Sequence, residues 1–347
     1  MIDYEILKLI WWLFIAVLLT GFAIMDGQDM GAGTLLPYLG KTNEERRIMI
    51  NAVAPHWDGN EVWLITAGGV TFAAFPKAYA VMFSALYAPL LILLFALIFR
   101  AVSFEFRNKK DCPQWRKFWD ACQFLGNFLP ALLLGVAFAN LFMGIPIDGN
   151  GVYHGNIIKL LNPYGLAGGI FFVLIFCMHG ALWLALKSEG DIHERAVGAA
   201  QVVWPLVLAV ALLFLALTAF YTNLYANYAE HPTLLIFPIL AVASLLTVRV
   251  MIWADNLLGA WFFSALFIIT VTFFGVLGMY PGIIISSIDP AYSVTVFNGA
   301  SSQLTLKIML GVTLCCIPVV IAYQAWVYYT FAHKVTPESL QKDDHAY

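Results

Sequence analysis

The sequence predicts an all-α fold, a polytopic membrane bundle of about nine transmembrane helices with the N-terminus outside and the C-terminus in the cytoplasm. Three observations carry that expectation. Of the 347 residues, 61% are apolar and only 11% charged, with a mean hydropathy of +0.81, more apolar side chain than one water-facing core can hide. The apolar residues are gathered into runs of about 20, the length that crosses a bilayer core as a helix. Lys and Arg are spread unevenly over the connections between those runs. A net charge of −3 without a long block of either sign offers no surface to a nucleic acid, so the partner of this surface is the lipid bilayer.

The first span covers 5–27. Asp3 precedes it, with neither the basic start nor the small-residue cleavage site of a secretory signal, so it is expected to stay in the protein. The second, 55–75, is the least apolar because Asp58 and Glu61 sit in its first turns, but Pro55 and Pro76 punctuate its ends. The third, 78–99, stops at Arg100 after LLILLFALIF, and the fourth, 120–143, opens on Asp120. The fifth, 164–186, contains His179 in FCMHGALW; 198–221, 233–253, 258–280 and 304–331 follow. No repeat, water-soluble domain or low-complexity linker interrupts them, so 1–347 reads as one integral membrane domain.

Orientation follows from the 18 basic residues, which short cytoplasmic loops concentrate. With the N-terminus outside, the inner side receives Lys41, Arg46, Arg47, Arg100, Arg107, Lys109, Lys110, Arg116, Lys117, Lys187, Arg195, Arg249, Lys334 and Lys342; the outer side receives only Lys8, Lys77, Lys159 and Lys307. Tyr153, Tyr164, Tyr221, Tyr225 and Tyr280 then fall near the outer interface. The five cysteines show no CxxC spacing, and Cys177, Cys315 and Cys316 lie in apolar runs, as small reduced core residues do.

A carboxylate at mid-bilayer costs about 2.5 to 3.5 kcal/mol and is functional by default, whereas one near a helix end costs much less. On this topology Asp26 and Asp29 lie at the inner end of the first span, and Asp58 and Glu61 in the first turns of the second. Asp26 and Asp29 are three apart, as are Asp58 and Glu61, while Trp57 and Glu61 are four apart, so each set shares a helix face. Such a hairpin can hold water and pass protons; alternatively, Asp58 and Glu61 only complement the positive end of a helix dipole. Arg100 reads either as an interfacial residue snorkelling to the inner surface or as the partner of a buried acid such as Asp29, Asp58 or Asp120. His56 can titrate near neutral pH beside the acids or serve as an interfacial hydrogen-bonding group. His179 is the one histidine deep in a span, a haem or metal ligand on the sharp reading and a residue bonded to a neighbouring helix on the plain one. No phosphate loop or HExxH pair is present, so redox centres, if the chain serves any, are expected elsewhere.

The segments GFAIMDGQDMGAG (21–33), ERRIMINAVAPHWDGNEVWLITAGGVTFAAFP (45–76), GVAFANLFMG (135–144), LLNPYGLAGG (160–169) and SSQLTLKIML (301–310) closely resemble subunit II of the cytochrome bd-type quinol oxidases. The resemblance covers most of the first half and a stretch near the C-terminus. It implies a heterodimer with a homologous nine-helix subunit I, which carries two haems b and one haem d, oxidises quinol and reduces oxygen to water in the bacterial cytoplasmic (inner) membrane. Subunit II of this family ligates no haem; it supports assembly and part of the proton uptake. The acid of the HWDGN motif, Asp58 here, is the one the resemblance assigns to that route, and Asp26 and Asp29 match the family's DGxDMG pattern. A small accessory subunit and a quinone or lipid bound between helices are compatible with it. Against this stand a proton-coupled secondary transporter, for which inverted repeats and broken mid-membrane helices are missing, and a purely structural scaffold whose acids only cap helices.

Overall fold

The computed structural model describes residues 2–342 and 347, with Gln341 and Lys342 as backbone only. The Lys342 side chain, placed with the inner basic residues above, and Met1 of the 1–347 domain lie outside the described residues. In chain order the helices are α1 (Tyr4–Leu39), α2 (Asn43–Asn51), α3 (Trp57–Ala74), α4 (Pro76–Ala85), α5 (Tyr87–Phe106), α6 (Pro113–Met143), α7 (Ile157–Leu160), α8 (Pro163–Lys187), α9 (Gly190–Tyr221), α10 (Tyr225–Glu230), α11 (Ile236–Trp253), α12 (Leu257–Met279), α13 (Gln303–Thr330) and α14 (Pro337–Lys342). Between α12 and α13 a small antiparallel pair, β1 (Gly282–Ile284) with β2 (Val294–Thr295), aligns Gly282 with Thr295 and Ile284 with Val294.

Among the described residues eight helices are long and apolar enough to cross a membrane: α1, α5, α6, α8, α9, α11 with the turn before it, α12 and α13. The expected second span folds as α3, 18 residues or about 27 Å long at 1.5 Å per residue, but its polar first turns keep it outside those eight. It lies beside α13 at both ends. Gln324 Nε2 donates to the Gly59 carbonyl at 3.1 Å, and the Ser301 amide, just before α13, donates to the Ala74 carbonyl at 2.8 Å.

Helix starts follow the local sequence. Asp3 accepts from the Glu5 amide, Asn162 from that of Gly165, Asn256 from that of Gly259 and Ser302 from that of Thr305, each satisfying an amide that the first helical turn leaves free. α8 runs through the centre with 72% of its span buried, packed on α1, α6, α9 and α12, while α13 is peripheral at 11%.

The α1–α8 crossing explains Gly31 of DGQDMGAG and Gly180 of α8. A Cβ on Gly31 would lie 1.7 Å from the Phe176 carbonyl oxygen, and one on Gly180 would lie 2.4 Å from the Ala32 amide nitrogen. Only residues without side chains let these backbones touch.

Four boundaries and one burial assignment differ from the expectation. α6 opens at Pro113 rather than Asp120 and α9 at Gly190 rather than 198, because each helix continues through charged turns outside its apolar run. α1 does not end at 27 but runs to Leu39, because the small residues of DGQDMGAG are sheltered against α8 and keep the helix intact. The third span is not 78–99; the chain breaks at Leu86 and the spanning helix is Tyr87–Phe106. Pro89, in its first turn, lacks the amide that would continue the α4 ladder. Cys315 and Cys316 are exposed rather than core residues, since α13 is so little packed.

Candidate functional site

The longer α1 and the shifted α5 set the geometry of the ionic groups. Asp26 lies 22 residues after Tyr4, about 33 Å along α1, with more than three turns of helix still to come. Arg100 is followed by six further residues of α5, so it stands inside a helix rather than at its end. Gly126 of α6 allows α5 this close, since a Cβ there would lie 2.7 Å from Arg100 Cβ.

Arg100 and Asp26 are both 0% exposed. Arg100 Nη2 donates to Asp26 Oδ1, and Nη1 donates to Oδ2 at 3.2 Å, the two-pronged geometry that guanidinium and carboxylate favour. Glu61 Oε1 stands 3.4 Å from the same Nη2, and the Arg100 Cζ lies 5.9 Å over the Trp57 ring, itself stacked on Phe104 at 5.1 Å. Asp29, 2% exposed, accepts from Asn60 Nδ2 at 2.7 Å, and the same amide reaches the Met25 carbonyl at 3.1 Å. Three acids from α1 and α3 thus gather around one buried guanidinium from α5. Asp29 Oδ1 and Arg100 Nε have no hydrogen-bond partner in it.

This arrangement corrects several expectations. Arg100 does not snorkel: it is enclosed and paired. Asp58 is not part of the buried cluster. It is exposed in the isolated chain, and among the described residues its Oδ1 accepts from the neighbouring Gly59 amide at 2.8 Å, as its place in the first turn of α3 leaves it at the edge of the bundle. Asp120 does not join Arg100 either. It accepts from Arg46 Nη1 and Arg107 Nε, both at 2.6 Å, forming a second ionic layer one α5 heptad beyond the first. His56 is buried among aromatic rings; its ring stacks on Tyr328 with centroids 4.2 Å apart and planes 5° from parallel.

The sequence reading missed Asn60, Gln28 and Tyr328. Tyr328 donates its hydroxyl proton to Asn60 Oδ1 at 3.1 Å and accepts from Gln28 Nε2 at 3.0 Å, and Trp261 Nε1 donates to Gln28 Oε1 at 3.2 Å. A signal existed for the first two, since Gln28 and Asn60 are polar residues flanking the acids in otherwise apolar spans. Nothing local pointed to Tyr328, almost 300 positions away.

Outside the membrane-spanning helices, Glu45 closes a capping box with Thr42 at the start of α2. Burial pushes its carboxyl up, but hydrogen bonds from Arg195 and from the Thr42 and Lys41 amides outweigh that and hold it below the usual carboxylate range. The Arg195–Glu45 pair ties α9 to the α1–α2 connection.

His179 is 0% exposed; its Nδ1 is 2.6 Å from Ser264 Oγ and its ring stacks on Trp261 at 5.2 Å. Trp261 covers one ring face and Nε2 is buried, so the residue is packed in the core and bonded to a neighbouring helix through Ser264. Among the described residues no group of three His, Cys, Asp or Glu could hold a metal ion. An apolar cavity of about 160 Å³ opens between α1, α6, α8, α9, α11 and α12, lined by residues such as Phe22, Leu134, Phe171, Phe214, Leu245 and Phe267.

Comparison with known proteins accounts for most of the chain. A family described as cytochrome bd terminal oxidase subunit II matches residues 7–331. The chain is 37% identical to the cytochrome bd-I ubiquinol oxidase subunit 2 of Escherichia coli (strain K12), over the full length of both. It is 36% identical to the cytochrome bd ubiquinol oxidase subunit 2 of Bacillus subtilis (strain 168), covering 94% of this chain and 96% of that one. Among solved structures, a chain of the bd oxidase from Geobacillus thermodenitrificans shares the fold with a TM-score of 0.78 at 15% identity, over 94% of this chain and 98% of that one.

Proposed function

The chain belongs to the cytochrome bd terminal oxidase subunit II family, and from that premise we propose that its α1–α3–α5 ion cluster takes up cytoplasmic protons for the reduction of oxygen. The protein is a subunit of a bd-type quinol oxidase, an oxygen-reducing membrane complex that carries haem and includes a partner subunit 1; the transporter reading falls with that membership. In our reading the partner holds two haems b and one haem d, subunit II ligates none, and its place is the bacterial inner membrane. The same reading takes α3 as a ninth crossing, with the N-terminus outside. In its support, the ionic layers of Arg46, Arg107 and Asp120 and of Arg195 and Glu45 lie at one end of the bundle, while Tyr4 and Ser301 meet at the other. The 160 Å³ cavity suits an acyl or isoprenoid tail by its apolar lining.

The observation that carries the proton reading is the gathering of the buried Asp26 and Asp29 and the half-buried Glu61 around the enclosed Arg100. Oxygen reduction consumes protons, and drawing them from the cytoplasm separates charge across the membrane. Asp58, exposed in the first turn of α3, receives a proton from water. Glu61 stands one turn further in, about 4.5 Å along the axis, and faces Arg100. Arg100 compensates the carboxylates when they are charged and so keeps the site occupied by acids rather than excluded from the interior. Buried polar atoms with no hydrogen-bond partner among the described residues, Asp29 Oδ1 and Arg100 Nε, offer the positions at which internal water completes a route.

The test is oxygen consumption by the purified complex at saturating quinol, normalised to haem. Asp29→Asn and Glu61→Gln keep shape but carry no transferable proton, and each is expected to slow turnover by about 10²-fold with haem retained. Full turnover in both assembled variants would reduce the cluster to a structural pairing.

A further inference from the structure

α13 is the least buried of the spanning helices, and its buried residues, Leu306 and Leu310, lie in its first half. Its second half is fastened chiefly by polar side chains. Gln324 reaches the Gly59 carbonyl, while Tyr328 places its hydroxyl between Gln28 of α1 and Asn60 of α3 and its ring against His56, with Trp183 edge-on at 5.8 Å. The donors run in one direction. Trp261 Nε1 donates to Gln28 Oε1, Gln28 Nε2 to the Tyr328 oxygen, Tyr328 to Asn60 Oδ1, and Asn60 Nδ2 to Asp29 Oδ2, at 3.2, 3.0, 3.1 and 2.7 Å. Hydrogen bonds aligned in series polarise one another, and this series ends on a carboxylate.

We propose that Tyr328 is a positioning residue for the acid cluster: acting through Asn60, it holds the Asp29 carboxylate beside Asp26 and Arg100. Asn60 has one amide group to satisfy three neighbours. Its Oδ1 takes the Tyr328 proton, while its Nδ2 serves both Asp29 and the Met25 carbonyl. Without the tyrosine hydroxyl, Oδ1 is left as a buried acceptor lacking its donor. The amide relieves that by turning, which withdraws Nδ2 from Asp29. Gln28 cannot replace the lost donor, because its own amide points at the oxygen that has gone. The C-terminal membrane helix therefore takes part in the geometry of acids on α1 and α3, though it carries none of them.

The inference rests on the proton reading of the cluster, and the experiment separates the two. The intact complex is purified with Tyr328→Phe, Asn60→Ala, the double variant and Asp29→Asn, and haem content, KM for quinol and turnover at saturating quinol are measured. Tyr328→Phe is expected to retain haem and KM and to turn over several-fold more slowly. The double variant is expected to be no slower than Asn60→Ala alone, since a residue acting only through Asn60 adds nothing once Asn60 is gone. Wild-type turnover in Tyr328→Phe, loss of haem, a raised KM, or losses that multiply in the double variant would each overturn the proposal. If Asp29→Asn is slow and Tyr328→Phe is not, the positioning role alone fails. If Asp29→Asn turns over normally, the proton reading fails at Asp29 and the positioning proposal fails with it, while Glu61→Gln still decides the rest of the cluster.

Discussion

Replacing Arg100 by glutamine tests whether the buried pair holds the bundle together. Arg100 and Asp26 are 0% exposed, and both Nη atoms reach the two carboxylate oxygens, so Arg100→Gln leaves Asp26 enclosed without a counter-charge. Removing one partner of a buried pair costs about 3 to 5 kcal/mol, a factor of about 10² to 4 × 10³ in the unfolding equilibrium. Glu61, 3.4 Å from Arg100 Nη2, loses its nearest cation as well, which places the effect toward the upper part of that range. An arginine snorkelling at the interface would forfeit only about 1 kcal/mol or less. The double variant Arg100→Gln/Asp26→Asn exchanges two charges for two neutral amides that can still bond, and recovers most of the loss. The assay is denaturant unfolding of the detergent-purified complex, followed by haem absorbance, for wild type, both single variants and the double. A single Arg100→Gln variant within about 1 kcal/mol of wild type, or a double variant no more stable than the single, would refute the pairing.

Asp58→Asn separates proton delivery from helix-dipole complementation. Losing only the dipole interaction costs about 0.3 to 1 kcal/mol and leaves turnover intact, whereas a proton-delivering Asp58 gives an assembled, haem-replete and slow enzyme that Asp58→Glu partly restores; oxygen consumption across pH distinguishes them. Gly31→Ala brings a Cβ within 1.7 Å of the Phe176 carbonyl and is expected to cost at least about 1 to 3 kcal/mol as α1 and α8 separate. Gly198→Ala, with nothing within 4 Å, should be neutral or stabilising by up to about 1 kcal/mol, so equal yields of the two purified variants would count against the crossing argument. For Glu45, whose folded carboxyl lies below its ordinary value of 4.5, the stabilisation is fully present above that pH and is lost as pH falls through the lower folded value. Thermal midpoints of wild type and Glu45→Gln should therefore differ at pH 7 and converge in acid; a gap that widens in acid would reverse the assignment.

The sequence alone determined the class of the molecule and the addresses of its acids. Hydropathy measures the cost of leaving each side chain in lipid, which is a property of the residue itself, so spans such as 120–143, 164–186 and 258–280 were legible to within a few residues of α8 and α12 and along most of α6. Asp26, Asp29, Asp58 and Glu61 stood out because charges are rare there. Pairing is not a local property. Whether Arg100 snorkels or is enclosed depends on where α5 begins, which Pro89 shifts, and on Gly126 letting α6 approach. Asp120 met Arg46 and Arg107, Asp58 stayed exposed, and Tyr328 reached Asn60 across 268 positions. These outcomes were decided by the separations and crossing angles of helices, set by small residues at the contacts, and a one-dimensional pattern of polarity does not contain them.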